Sequence, residues 1–239
     1  MSYLGQNFLR DNKYKTFIVE NIKKAKEKYK IDRAIEIPKA ITKHIDFFQD
    51  FTIFEKDNNF QEKLENIVKE NIEWGDFLEQ DLDKKIKDFI INIPYYITSP
   101  ILRKVTLPEN KNKMIWIFMI QKEVGEKIKL ARKKSYLRWL LNYNYEVKYL
   151  KTVPSKSFSP APRVDSCLVL ILKEENPISF EDLLLFLDNF SSSKRKTLGK
   201  ILKMLAKRGV DISRFNLNDE VKKKRIEDLE RDELKEILG

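Results

Sequence analysis

The chain has 239 residues, 42% of them hydrophobic, with a net charge of +10 and a pI near 9.4. That is enough for one large domain with a small appendage, and it favours a polyanionic partner. One cysteine, Cys167, and one histidine, His44, exclude an internal disulfide and the usual zinc sets, so no metal is expected, and they argue against a histidine relay. The longest apolar run, residues 114–120, is far short of the roughly 18 residues of a membrane span, and the polar N-terminus lacks a signal-peptide core; the expectation is a cytoplasmic protein without a membrane partner.

In chain order, short β-rich runs alternate with longer helical patterns through the first 175 residues, which predicts βαβ units and a mostly parallel sheet. Strands are predicted at 33–37, 51–55, 71–74, 88–93, 115–121, 145–151 and 164–173, and helices at 12–29, 39–48, 58–69, 99–105, 122–132 and 136–142. After Pro177 the pattern is wholly helical, opening on Ser179-Phe180-Glu181-Asp182 with the spacing of a capping box. The predicted fold class is therefore α/β, with a sheet domain over residues 1–176 and a small all-helical domain over residues 177–239.

Acidic residues recur at the ends of the first three strands: Glu36, Glu55 and Asp76. In an open α/β sheet the ligand crevice lies beyond the carboxyl ends of the strands, and ribose hydroxyls are held by an acid there. Singly, each acid is more often a solvated turn residue. Their repeated strand-end placement points to an adenosine-shaped site, with Glu55 on ribose and Asp76 accepting from an adenine amine.

The fourth strand runs into Asn92-Ile93-Pro94-Tyr95, a sequence suited to methylating an exocyclic amine. The lone pair of such an amine is delocalised into its ring, so acceptors must hold the N–H groups and turn the lone pair outward. Asn92 has a side-chain carbonyl, Pro94 presents a backbone carbonyl without a competing N–H, and Tyr95 offers a flat face for stacking. A strand followed by a proline turn is the plainer reading.

Residues 194–208 hold seven basic residues and no acid: Lys194, Arg195, Lys196, Lys200, Lys203, Lys207 and Arg208. Leu198, Ile201, Leu202 and Leu205 form the apolar stripe of an amphipathic helix. Its outer face suits phosphates; a solvated face and membrane attachment are the competing readings.

Gly5-Gln6-Asn7-Phe8-Leu9, Gly75-Asp76, Asn92-Ile93-Pro94-Tyr95, Gln121-Lys122-Glu123-Val124 and the segment from Phe158 to Ser166, in that order and spacing, resemble the motifs of the KsgA-type ribosomal RNA adenine N6,N6-dimethyltransferases. The resemblance runs from about residue 3 to 205. It implies a Rossmann-like S-adenosylmethionine-dependent methyltransferase whose helical C-terminal domain helps dock RNA, a small-subunit ribosomal RNA or pre-ribosomal particle as partner, and a role in ribosome biogenesis, as a monomer. By matching position, Gln6, Asn7 and Leu9 would cover the cofactor, with Glu36, Glu55, Asp76 and Asn92 lining it. Asn92 and the Pro94 carbonyl would hold the target amine between Tyr95 and Phe158.

The family's first strand leads into a glycine-rich loop. Here the segment Glu36-Ile37-Pro38-Lys39-Ala40-Ile41-Thr42 is about three residues shorter and lacks glycine. Two readings stand beside each other: an active dimethyltransferase that binds its cofactor through the acids and the N-terminal motif, and an impaired pseudo-methyltransferase acting as an RNA-binding assembly factor. A nucleic-acid-binding accessory on the same fold rests on analogy alone.

Overall fold

The computed structural model describes residues 7–31, 33–36, 50–66, 68, 71–80, 89–91, 97–106, 115–129, 136–173, 179–213 and 215–238. Among them the strands are β1 (Phe8–Leu9), β2 (Arg33–Glu36), β3 (Asp50–Glu55), β4 (Ile72–Trp74), β5 (Phe89–Ile91), β6 (Ile115–Gln121), β7 (Tyr145–Val153), β8 (Phe158–Ser159) and β9 (Ser166–Lys173). The helices are α1 (Asn12–Tyr29), α2 (Gln61–Glu65), α3 (Thr98–Val105), α4 (Lys122–Lys129), α5 (Tyr136–Asn144), α6 (Phe180–Phe190), α7 (Leu198–Lys207), α8 (Asp219–Lys223) and α9 (Arg231–Leu238).

Seven strands form one sheet in the order β4-β3-β2-β5-β6-β9-β7. The first five are mutually parallel, while β9 runs antiparallel to β6 from Ile115↔Leu172 to Gln121↔Ser166. Strand β6 shows why the sheet is central: its first six residues are all buried, the signature of a strand covered on both faces. Chain order reverses between β2 and β5, since β3 and β4 lie to one side of β2 while β5 and β6 lie to the other. This is the switch point where doubly wound sheets open a crevice.

Contacts divide the chain into two compact units, residues 1–126 with 147–173, and residues 127–146 with 174–239. The first is built around Ile18, Ile22, Ile53, Ile117 and Leu168. Helix α1 begins at Asp11, whose carboxylate accepts from the Lys13 N–H at 3.0 Å, and it turns Ile18, Ile22 and Ala25 inward at helical spacing. Helix α5 belongs with the second unit, where Trp139, Leu140 and Tyr143 join Leu183, Phe186, Phe190 and Leu198. Phe186 and Phe190 stack at 4.4 Å, and Phe215 meets both edge-on at 5.8 and 5.5 Å.

The expected strands appear close to their predicted bounds. The helix expected at 58–69 is shorter: Asn58–Phe60 is a 3-10 turn capped by Asp57, and the α-helix occupies Gln61–Glu65. The expected helix at 39–48 and His44 fall outside the described residues, and so does the predicted boundary at 176/177. Ser179 caps α6 as its spacing predicts, accepting from the Asp182 N–H at 3.4 Å. No described helix is long and apolar enough to cross a membrane.

Gly125 on α4 lets that helix close onto β9: a Cβ there would overlap Cys167 Sγ, with Tyr149 and Val169 next nearest. Burial pushes the Cys167 thiol up to about 12, so it is an inert packing group. Gly125→Ala should therefore destabilise by about 1–3 kcal/mol through overpacking, outweighing the ~1 kcal/mol that alanine contributes in a helix. In a Cys167→Ala background the same change should stabilise, as urea unfolding of the four-member mutant cycle will show.

Candidate active site

Parallel pairing sets the level at which the first strands end. Glu36 is opposite Ile53 on β3 and Ile91 on β5, and Glu55 is opposite Trp74 on β4. Glu36, Glu55 and Asp76 thus close three neighbouring strands on one edge of the sheet. Glu36 is 0% exposed. The β5 strand ends at Ile91, beside Glu36, and the next residue in the chain is Asn92. The acid row and the strand that leads into Asn92-Ile93-Pro94-Tyr95 in the sequence therefore meet at the switch point.

Glu55 is half-buried, and its Oε1 accepts from the Asp57 N–H at 2.8 Å. Burial raises its pKa above the ordinary value, partly offset by the backbone donors of Asp57 and Lys56. The Gly75 N–H donates to the Glu55 carbonyl at 2.9 Å, extending the β3–β4 ladder by one step. Gly75 then takes φ +142°, a conformation L side chains rarely adopt, and turns the chain into Asp76.

Both oxygens of Asp76 are engaged. Oδ1 accepts from the Leu78 N–H at 2.9 Å, capping a short 3-10 turn over Phe77–Glu79, and Oδ2 pairs with Lys56 Nζ at 2.7 Å. The Lys56 hydrogen bond is the main reason its carboxyl titrates below the usual range. Lys104 on α3 braces the same turn, donating to the carbonyls of Leu78 and Gln80 at 2.5 and 2.6 Å.

The N-terminal motif and the Phe158 segment are tied directly together. β1 and β8 pair antiparallel, Phe8 opposite Ser159 and Leu9 opposite Phe158. The Arg10 N–H donates to the Ser157 carbonyl at 2.8 Å, and the Ser157 hydroxyl donates to Asp11 Oδ2 at 3.2 Å. Phe158 is 5% exposed and packs in the core with Leu9. Asp165 joins this segment to the Gln121-Lys122 motif: its carboxylate accepts from the Ser155 N–H and its carbonyl from the Lys122 N–H, each at 2.9 Å.

Asn7, Leu9, Glu36, Glu55, Asp76 and Phe158 are thus placed in the sheet unit, Leu9 buried and Asn7 half-buried beside it. Gln6, Asn92, Pro94 and Tyr95 lie outside the described residues, as does the glycine-free segment after Glu36. Asp11, Lys56, Lys104 and Ser157 were not singled out from sequence, and Asp165 only as part of the Phe158–Ser166 motif. Asp11 carried a legible signal, an aspartate just before a helical pattern, whereas the others act through partners distant in the chain.

In the second unit, Leu198, Ile201, Leu202 and Leu205 are buried, and Lys200, Lys203 and Lys207 are exposed along α7. Lys194, Arg195 and Lys196 are exposed in the turn preceding α7, and Arg208 at its end. Thr197, Lys200, Lys203 and Lys222 border a cavity of about 480 Å³ whose apolar lining includes Leu202, Ala206 and Ile212.

The acceptor set fits an adenosine-bearing cofactor: a half-buried carboxylate suits vicinal hydroxyls, and a second carboxylate one strand away suits an exocyclic amine. A family model described as ribosomal RNA adenine dimethylase matches residues 2–235. The ribosomal RNA small subunit methyltransferase A of Clostridium acetobutylicum is 31% identical over 227 residues, 88% of this chain and 82% of its own length. Its namesake in Thermotoga maritima is 33% identical over 226 residues, 89% of this chain and 78% of its own. Among solved structures, a dimethyladenosine transferase from Plasmodium falciparum superposes with a TM-score of 0.70 at 20% identity, over 96% of each chain. The 23S rRNA methyltransferase ErmE does so at 0.68 and 20% identity, over 97% of this chain and 99% of its own. At that identity the two structures speak for the methyltransferase fold, while the match across residues 2–235 and the curated relatives show that the chain belongs to the ribosomal RNA adenine dimethylase family.

Proposed function

We propose that this chain dimethylates N6 of adenosines in small-subunit ribosomal RNA, using S-adenosylmethionine. The observation that carries the reading is the register Glu36↔Ile91, which brings the row of acids beside the strand leading into Asn92. When bound, the cofactor supplies an electrophilic methyl on a sulfonium that leaves as a neutral thioether. Glu55 receives the ribose hydroxyls and Asp76 the adenine amine, while Asn7 and Leu9 border the site from the N-terminal ribbon. Asn92 and the Pro94 carbonyl accept from the target amine, turning its lone pair toward the methyl. The proton leaves for solvent after attack, so no strong base is required.

A base inside a helical stack cannot reach this position and must be extruded. Tyr95 is one stacking face and Phe158 the opposite wall; because Phe158 is covered in this structure, stacking on it requires the β1–β8 ribbon to give way. Base–aromatic stacking contributes roughly 1–3 kcal/mol per base, enough to offset much of the extrusion. The exposed residues Lys194, Arg195, Lys196, Lys200, Lys203, Lys207 and Arg208 then serve as phosphate contacts of the helical unit.

Methylation of unmodified small subunits tests the reading. Asn92→Ala should lower kcat roughly a hundredfold or more through lost alignment, with RNA affinity changed about threefold at most. Absence of S-adenosylmethionine binding at millimolar concentration would instead leave an RNA-binding assembly factor.

Because burial raises the Glu55 pKa and the ionised form accepts both hydroxyls, cofactor affinity should be level at neutral pH and fall as pH drops through that raised value, sooner than for an ordinary glutamate. Glu55→Gln should bind roughly tenfold or more weakly at pH 7 and lose this acid limb, as calorimetry across pH will show.

Replacing Lys194, Arg195 and Lys196 with alanine should flatten the slope of log K against log salt for RNA binding by up to roughly two to three units. An unchanged slope would reassign this stretch to a solvated surface.

A further inference from the structure

Lys56 follows Glu55 at the end of β3, and the bond from the Gly75 N–H to the Glu55 carbonyl holds the two strand ends in register, so Lys56 faces Asp76. The turn beneath it is pinned: the Asp57 N–H donates to the Glu55 carboxylate, and the Asp57 side chain accepts from the Asn59 N–H at 3.1 Å. The backbone of Lys56 is therefore fixed, while its side chain is 60% exposed. Its ammonium sits on Asp76 Oδ2 at 2.7 Å, and Oδ1 is already committed to the Leu78 N–H. Oδ2 is the oxygen without a backbone donor, so an adenine amine that seeks it meets the Lys56 ammonium.

We propose that Lys56 is a specificity-determining gate on the adenine side of the cofactor site, its ammonium occupying Asp76 until an adenine amine displaces it. The inference rests on the reading that Asp76 receives the cofactor's adenine. An exposed lysine–carboxylate pair is weak, typically well under a factor of ten, so the gate yields readily and lowers affinity by a small factor. Bases without an exocyclic amine have no donor with which to replace the ammonium and leave the pair closed. Amine-bearing ligands alone compete with Lys56, and that competition is screened by salt.

Calorimetry with 5′-methylthioadenosine, which carries adenosine without the charged amino-acid arm, tests this directly. Lys56→Met should bind it about two- to fivefold more tightly than the parent protein. Purine riboside, which lacks the amine, should bind both proteins equally. Raising salt from about 0.05 to about 0.5 M should strengthen methylthioadenosine binding to the parent and leave Lys56→Met unchanged. Equal or weaker binding by Lys56→Met, or an equal gain for purine riboside, overturns the gate.

Asp76→Ser separates this from failure of the underlying reading, because serine retains an oxygen for the Leu78 cap and removes the second acceptor. If Asp76→Ser weakens methylthioadenosine binding while Lys56→Met does not tighten it, the gate alone is wrong. If Asp76→Ser leaves binding unchanged, or no protein binds the ligand at millimolar concentration, Asp76 is not the adenine acceptor and both fall.

Discussion

Parallel hydrogen bonding from β4 through β3 and β2 to β5 is the constraint on which the rest of the site depends. It makes β2 end level with β5, and β3 level with β4 two residues further on, so residues far apart in sequence share one edge. A one-residue slip would turn every side chain of a strand to the opposite face. Glu36 shows what the register protects. An apolar residue would pack more cheaply at this fully buried position, and the register fixes the carboxylate there beside the end of β5.

Around that edge, the supports are backbone bonds and short side-chain reaches. Gly75 turns the chain, Asp76 caps the following 3-10 turn, and Lys104 fastens that turn to the helix after the Asn92 motif. Asp165 joins the Phe158 segment to the end of β6 in the same manner. The strand ends and the segments that follow them are therefore linked through hydrogen-bonded elements, which suits the alignment that the proposed chemistry depends on.

Much of the fold was legible in sequence because its elements are strongly patterned. Strand β6 is an unbroken apolar run, α7 carries its four buried residues at helical spacing, and Ser179 announces α6. The acids at strand ends were legible for the same reason, since a strand's end can be read locally. The β1–β8 ribbon was not, because two-residue strands have no periodicity. Lys56 and Asp76 pair across twenty residues, a contact created by sheet register and invisible to local pattern. Helix α5 announced an apolar face without revealing which core it enters, and it joined the second unit. The α-helix expected from 58 begins only at Gln61 because Asp57 caps a first turn of 3-10 geometry.

The β1–β8 ribbon has a thermodynamic consequence. Two residues on each side make few ladder hydrogen bonds, so what holds it is chiefly the burial of Leu9 and Phe158 in the core. Leu9, from the N-terminal motif, and Phe158, from the segment that ends at Ser166, are opposite one another within it. Melting the ribbon uncovers both in one event. Under the proposed function, in which Leu9 serves the cofactor and Phe158 the target base, both ligands draw on a single local opening equilibrium, a linkage that runs equally in both directions.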